Sequence, residues 1–428
     1  MARLHEYRGK ELLKDVDVPV PQGDVASTPE EAKRIAAEIG KPVAIKAQIW
    51  ATGRFKAGGI QFAATPEEAE KAAGELLGSQ IKGFPVERVL VEEKLEIERE
   101  YYAGVIVDDS YRVRAPVVMF STEGGVDIEE IVRRSPGKIA RMTVDIRRGL
   151  RTYHAYNLAL ALGLSGELLA PIGRAICGLY ELFRRYDARA AEINPLVLTR
   201  DGEVYAADCR VSIDDASVAR HPELGIAVPR ESDRPPTELD RLAWQIEEDD
   251  YRGVSFFVQL VPEIKEDGYI GYHAIGGGGA LLAADTLTRQ GLRLANYAET
   301  SGNPTASKVY RCAKVILSQP GIEGYCLMGA VIASQDQWHH AHGLVKAFRE
   351  DLADRPGFPV VILLAGNKEE EALEILREGL KDLPIRLELY GRDYIHRLDL
   401  VAQRMKALVE AYRRDKGLMG AHRNSWGQ

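Results

Sequence analysis

The chain has 428 residues, 45% of them hydrophobic and 28% charged. At about 150 residues per domain this length predicts two or three domains, and the composition is that of a folded chain, not a disordered one. The 56 basic and 64 acidic residues leave a net charge of −8, which speaks against nonspecific binding to nucleic acid or to an anionic membrane.

The opening segment MARLHEYRGKELL is charged and has no apolar signal core, and no long apolar run follows it. A cytoplasmic protein with reduced thiols is therefore expected. Cys177, Cys209, Cys312 and Cys326 form no CxxC pair. Two segments then open alike: Thr28-Pro29-Glu30-Glu31-Ala32 and Thr65-Pro66-Glu67-Glu68-Ala69. Each places Thr at the N-cap, Pro at N1 and Glu at N3, so each predicts a helix start, with Gly40 and Gly78 as helix stops. Short strands are predicted at Val43–Ala47 and Ile60–Ala64, with a loop from Trp50 to Gly59 between them. More follow at Val89–Glu92, Tyr101–Val107, Val117–Phe120, Leu196–Thr199 and Val204–Asp208, and Thr152 to Tyr186 reads as helical.

The stretch Val228 to Pro236, rich in Pro and Arg, reads as a linker. Beyond it, apolar runs at Tyr269–Ile275, Gly324–Leu327, Val360–Leu364 and Arg386–Tyr390 alternate with helical stretches. That alternation predicts βαβ units and a parallel sheet. The expected division is residues 1–235, residues 236–413, and a frayed tail over 414–428.

Several residues suit chemistry. The loop Ala51-Thr52-Gly53-Arg54-Phe55-Lys56-Ala57-Gly58-Gly59 mixes cations with glycine. Such a loop cradles a polyphosphate, or it is simply a basic hairpin. Lys46, on the preceding strand, is a phosphate contact or a lysine reaching solvent. Glu92 and Glu100 flank strands, where a carboxylate accepts from ribose hydroxyls or is merely solvated. Asn194 and Asp208 offer the hard oxygens that Mg²⁺ takes alongside nucleotide phosphates, or Asn194-Pro195 is a turn starter. Gly276-Gly277-Gly278-Gly279 follows a strand and precedes a helical run, the layout of an anion site or of tight packing. Gln337-Trp338-His339-His340 reads as a helix start with a buried Trp, or as the lining of a pocket.

Taken together, LHEYRGKELL, AIKAQ…GRFKAGG, STEGGVDIEEI and EINPLV with the following Asp resemble the nucleotide-binding β-type subunit of ADP-forming acyl-CoA synthetases. The resemblance spans about residues 1–380. It implies an α/β chain in which an ATP-grasp domain precedes a flavodoxin-like (Rossmann-type) CoA-ligase domain. It further implies ATP and Mg²⁺ as cofactors and CoA as co-substrate. Carried over by position, Lys46, Gly53, Arg54 and Phe55 would hold the phosphates, and Glu92, Leu95 and Glu100 the nucleoside. Asn194 and Asp208 would bind Mg²⁺, and Glu192 would face a phosphohistidine. Phe55 stands where the family has glycine.

In the second half, GGGGA and LANYAETSGNP are similar to the segments of citryl-CoA synthetase and ATP-citrate lyase, more than to those of succinyl-CoA synthetase. The resemblance makes Gly276–Gly279 and the loop Gly329-Ala330-Val331 acid-binding and citrate the expected acid. The loop departs from that pattern: Val331 replaces a Ser, Ser334 an Asn and Asp336 a Thr. The strand Val361–Ala365 also lacks the Arg found there. Another acid, such as succinate or malate, and a noncatalytic paralogous subunit both stay open. The nine histidines include none in a GHAGA-like setting, so the phosphorylated His and the CoA site are expected on an α-type partner subunit in a hetero-oligomer.

Overall fold

In the computed structural model, residues 2–51, 53–125, 128–226, 234–248, 252, 255–300 and 304–417 are described. The chain divides into two compact units that meet between Pro235 and Pro236. The predicted linker residues 228–233 and the tail residues 418–428 lie outside the described residues.

Unit 1 begins with β1 (Ala2–Arg3), α1 (Glu6–Lys14), β2 (Gly23–Ala26), α2 (Pro29–Ile39), β3 (Val43–Ala47), β4 (Ile60–Ala63) and α3 (Pro66–Leu76). It continues with β5 (Gln80–Ile81), β6 (Phe84–Pro85), β7 (Val89–Glu93), β8 (Ile97–Asp108), β9 (Ala115–Ser121), α4 (Ile128–Arg134) and β10 (Ile139–Thr143). Two helices, α5 (Thr152–Ala161) and α6 (Leu169–Arg185), precede β11 (Ala188–Thr199), β12 (Val204–Ala206) and β13 (Cys209–Ile213).

Thr28 and Thr65 cap α2 and α3 as the sequence predicts. Their hydroxyls accept from the N–H groups of Glu31 and Glu68, each at 3.2 Å. The two glutamates reach back to the N–H groups of Ser27 and Ala64 at 2.7 Å. Gly40 ends α2 with φ 68°, a conformation that glycine adopts without strain. Helix α3 has Leu77 as C-cap and Gly78, at φ 76°, in the C′ place the sequence predicts. The single helical stretch expected over Thr152 to Tyr186 is broken by Gly163 and Gly166, both at positive φ.

Helices α2 and α3 cover a four-stranded antiparallel sheet of order β2-β7-β3-β4. A second antiparallel sheet runs β1-β13-β11-β8-β9-β10, with β12 paired to β11, and α6 packs on it. The strand predicted as Val204–Asp208 ends at Ala206, and a further strand, β13, begins at Cys209. Asp208 sits at the break between them.

Unit 2 contains α7 (Glu238–Glu248), β14 (Phe256–Gln259), β15 (Tyr269–Ile275), α8 (Gly277–Arg289), β16 (Arg293–Leu294), β17 (Asn296–Glu299), α9 (Ala306–Leu317) and β18 (Tyr325–Asp336). It ends with α10 (Trp338–Asp351), β19 (Pro359–Asn367), α11 (Glu369–Leu380), β20 (Arg386–Tyr390) and α12 (Leu398–Asp415). The sheet order is β14-β17-β15-β18-β19-β20, parallel except for β14. Alternate residues of the central strands feed two layers. Tyr325, Leu327, Ile362 and Leu364 pack toward α9, α10 and α11, whereas Cys326, Met328, Val361 and Leu363 pack toward α8 and α12. Burial on both faces explains the uninterrupted apolar runs in the sequence. Strand β15 has β17 on one side and β18 on the other, so its C-terminal end is the topological switch point, where ligands of such sheets bind.

Candidate functional site

In unit 1, β3 and β7 of the smaller sheet face α1 and the β12–β13 break of the larger one. Their charged side chains meet in one buried cluster. Lys46 Nζ lies 3.0 Å from Glu6 Oε1 and 2.7 Å from Glu92 Oε1, and donates to the Ala207 carbonyl at 2.6 Å. Lys10 Nζ lies 2.9 Å from Glu6 Oε1 and 2.6 Å from Glu92 Oε2, and donates to the same carbonyl at 2.8 Å. Arg54 reaches Glu6 Oε2 at 2.5 Å and Asp208 Oδ2 at 3.0 Å, and donates to the Ala47 carbonyl at 2.9 Å. Three cations, Lys10, Lys46 and Arg54, thus balance three carboxylates, Glu6, Glu92 and Asp208.

Burial would push the Glu6 carboxyl up, but Lys10, Lys46 and Arg54 together hold it well below the usual carboxylate range. Burial would likewise lower Lys46. Glu6 first, then Glu92 and Asp208, instead hold it above the ordinary lysine value. Glu6 and Asp208 do the same for Arg54. Beside the cluster His5 stacks on Trp50 at 5.2 Å, and burial together with Arg88 and Arg54 holds its imidazole at about 4, neutral.

Glu6 and Lys10 carry no role in the sequence reading. A signal was present: both stand on the face of α1 that also buries Leu13, where apolar residues are expected. Gly9 allows that approach, since a Cβ there would lie 2.9 Å from Cys209 Sγ.

The other predicted residues of unit 1 fall nearby with different surroundings. Glu192 on β11 pairs with Arg210 on β13 at 3.2 Å, directly opposite in register. The ladder ends one pair further on, at Ile193 and Cys209, and Asn194 and Asp208 are the residues just beyond it. Asn194 Oδ1 accepts from the Gly125 N–H at 2.8 Å. Asp208 Oδ1 is buried and has no hydrogen-bond partner. Asp208 and Arg210 border a cavity of about 20 Å³ together with Glu6, Trp50 and Arg54. Among the described residues no three His, Cys, Asp or Glu side chains form a metal cage. An orphaned, buried carboxylate oxygen fits a cation such as Mg²⁺, which takes few protein ligands.

The expected ribose role of Glu92 is not what its surroundings offer, because both its oxygens are taken by lysines. Glu100 is exposed on β8, with a carboxylate oxygen against Gly125, and Leu95 is half-buried. The phosphate loop is also arranged differently from expectation. Gly53 has φ 64° and opens the turn, Arg54 points inward to the carboxylates, and Phe55 is 64% exposed.

In unit 2 the predicted acid-binding segments meet at the C-terminal edge of the parallel sheet. Ile275 pairs with Gly329, and Ala330 and Val331 pair with Ala365 and Gly366 on β19. The side chains of 330–335 lie outside the described residues. Gly329 serves close packing, since a Cβ there would sit 2.1 Å from the Ile275 carbonyl oxygen. Gly276 and Gly277 start α8 at positive φ, and nothing crowds Gly277, Gly278 or Gly279. One N–H of this segment already has an acceptor: the Gly277 N–H donates to Glu299 Oε1 at 2.8 Å. Asp336 is held by Asn367 and by the Trp338 indole N–H at 3.1 Å. The buried aromatic expected at Trp338 is only half-buried; Gln337 and His340 are the fully buried residues of that turn.

Residues 3–198 match the family described as an ATP-grasp domain, and residues 246–407 match the family described as the ATP citrate lyase citrate-binding domain. The fold and the cluster define an ATP-grasp chain joined to a Rossmann-type CoA-ligase domain. The chain is 39% identical to the β subunit of GDP-forming succinate–CoA ligase from Thermus thermophilus, over 87% of this chain and 93% of that one. It is 40% identical to the β subunit of the ADP-forming enzyme of Rubrobacter xylanophilus, over 88% and 92%. The structure of ATP citrate lyase from Methanothrix soehngenii, in complex with citrate and coenzyme A, matches its fold with a TM-score of 0.74 at 20% identity. That match covers 94% of this chain and 99% of the other. The chain belongs to the family of β subunits of nucleoside-diphosphate-forming acid–CoA ligases. This family uses ATP and Mg²⁺ with CoA as a substrate, and its β subunits pair with an α subunit. Among the described residues no helix is long and apolar enough to cross a membrane.

Proposed function

We propose that this chain is the nucleotide-binding subunit of a ligase that converts ATP, a carboxylic acid and CoA into ADP, phosphate and an acyl-CoA thioester. The phosphoryl group would pass through a histidine of an α-type partner subunit, and citrate is the proposed acid. The observation that carries this reading is the orphaned Asp208 Oδ1 beside a buried cluster holding Lys46 and Arg54.

In this reading Lys46 and the Gly53–Phe55 loop hold the phosphates, and Leu95 and Glu100 line the nucleoside side. Glu92 acts through Lys46, fixing the ammonium that meets the phosphates. Asn194 and Asp208 would hold Mg²⁺, which when bound neutralises and orients the phosphates. Glu192, kept in place by Arg210, would face the partner's histidine and accept a hydrogen bond from its ring. Positioning and charge neutralisation supply most of the catalysis in such a transfer. Gly276–Gly279 and Gly329–Val331 would form part of the acid site. Citrate is supported by the citrate-binding family match over 246–407.

A second reading takes a dicarboxylate such as succinate. It is favoured by Asp336 at the end of β18, a fixed carboxylate that would repel a third carboxylate of the substrate. It is also favoured by the names of the relatives at 39 and 40% identity.

The test is ADP release by the chain co-purified with its partner, with Mg·ATP, CoA and each acid in turn. Release with citrate alone is the expected result. Release with succinate or malate alone would replace citrate by the second reading, and no release with any acid would overturn both.

A further inference from the structure

Asp208 is the one cluster carboxylate whose two oxygens have unequal lots. Oδ2 accepts from the Arg54 guanidinium at 3.0 Å, while Oδ1 is buried with no partner. Arg54 is itself buried and stays tethered to Glu6 at 2.5 Å and to the Ala47 carbonyl at 2.9 Å. From this asymmetry we propose that Arg54 guards the metal position. It neutralises Asp208 until a nucleotide arrives, so that a divalent cation binds there with the nucleotide and not before it. The inference rests on reading Asp208 as a metal ligand.

The physical argument is ion exchange. A guanidinium on one carboxylate oxygen removes much of the charge that would draw a divalent cation to the other, and it repels that cation directly. A polyphosphate offers the same guanidinium a better, two-pronged acceptor than a single carboxylate oxygen. Arg54 therefore turns from Asp208 to phosphate, Glu6 remains as its tether, and Asp208 is freed for the metal. No bond is made or broken; one cation leaves the carboxylate and another takes its place.

The loop is built for such a turn. Arg54 sits in a compact turn bounded by Gly53 at φ 64° and Gly58 at φ 77°, conformations open to glycine. The Arg54 carbonyl accepts from the N–H groups of Ala57 at 3.1 Å and Gly59 at 2.8 Å. The backbone of the turn is thus held while the side chain is free to change partner.

The test is Mn²⁺ titration of the full nucleotide-free chain, read by electron paramagnetic resonance. Wild type is expected to bind Mn²⁺ weakly. Arg54→Met should tighten binding at least tenfold, and adding Asp208→Asn should abolish the gain. Because Arg54→Met leaves Glu6 short of a partner, Glu6→Gln/Arg54→Met keeps the cluster balanced and should show the same gain. Unchanged affinity in the folded variants, or a gain that survives Asp208→Asn, would overturn the guard. So would wild-type binding equally tight with and without ADP. Mn·ADP binding tests the underlying reading separately: if Asp208→Asn leaves it intact, Asp208 is not the metal ligand and both fall. If Mn·ADP binding needs Asp208 while the Arg54 variants gain nothing, only the guard falls.

Discussion

Each unit buries one polar cluster, and the two are built by opposite means. In unit 1, Glu6, Lys10, Lys46, Arg54, Glu92 and Asp208 form a set of ion pairs. In unit 2, His273 hydrogen-bonds Tyr325 at 2.5 Å and Thr300 at 2.9 Å, and burial, with His340 nearby, holds its imidazole at about 3. His340 is held at about 3 by burial and by His339, and neither of its ring nitrogens has a partner. A set of paired charges can exchange partners with an incoming anion and cation. Neutral buried rings under a parallel sheet have nothing to exchange, and they belong to the platform that carries the loops proposed to bind the acid. The difference assigns ligand electrostatics to the first unit and shape to the second.

Removing one charge should break the first arrangement at once. Lys46→Met leaves Glu6 and Glu92 facing each other with one cation fewer, and breaking such a buried pair costs about 3–5 kcal/mol. Chemical denaturation should show that loss, and adding Glu92→Gln should recover part of it.

The second arrangement should fail with acid instead. Unfolded histidines take up protons below 6.5 while His273 and His340 stay neutral down to about 3, so stability falls as pH drops through that window. By pH 5 each histidine should cost about 2 kcal/mol. Melting temperatures between pH 8 and 5 should drop accordingly. His340→Leu should flatten the slope by about one proton, because it removes no hydrogen bond.

A smaller effect tests the platform directly. Gly329→Ala forces a Cβ to within 2.1 Å of the Ile275 carbonyl oxygen. Prying β15 from β18 should cost about 1–3 kcal/mol by denaturation, without altering nucleotide binding in unit 1. The smallest sharpens the point that unit 1 also contains ordinary structure. Thr28→Ala and Thr65→Ala should each cost about 1 kcal/mol, and equally, because the two caps have the same geometry.

Much of the fold was legible. The repeated Thr-Pro-Glu-Glu openings mark α2 and α3, and the apolar runs of the second half mark a sheet buried on both faces, because capping and burial write local patterns. The nearness of Lys46 and Asp208 was legible only through the resemblance, since strand pairing between distant segments leaves no local trace. The roles of Glu6 and Lys10 were missed because charges on a helix read as solvated unless their buried face is noticed. Glu92 and Arg54 were placed on the right strand and loop, but the ion pairs of Glu92 with Lys10 and Lys46, and of Arg54 with Glu6 and Asp208, were not legible. The hydrogen bond from Gly277 to Glu299 was equally unreadable, because it depends on β17 lying beside β15.

The most direct test of the account is phosphoryl transfer from γ-labelled ATP to the co-purified partner subunit. Wild type should place an acid-labile, base-stable label on a partner histidine, and Asp208→Asn, which keeps the side chain's shape, should abolish it. Wild-type chain that binds Mg·ATP yet labels no partner, or labelling that persists in Asp208→Asn, would contradict the assignment of this cluster as the nucleotide site of an acid–CoA ligase.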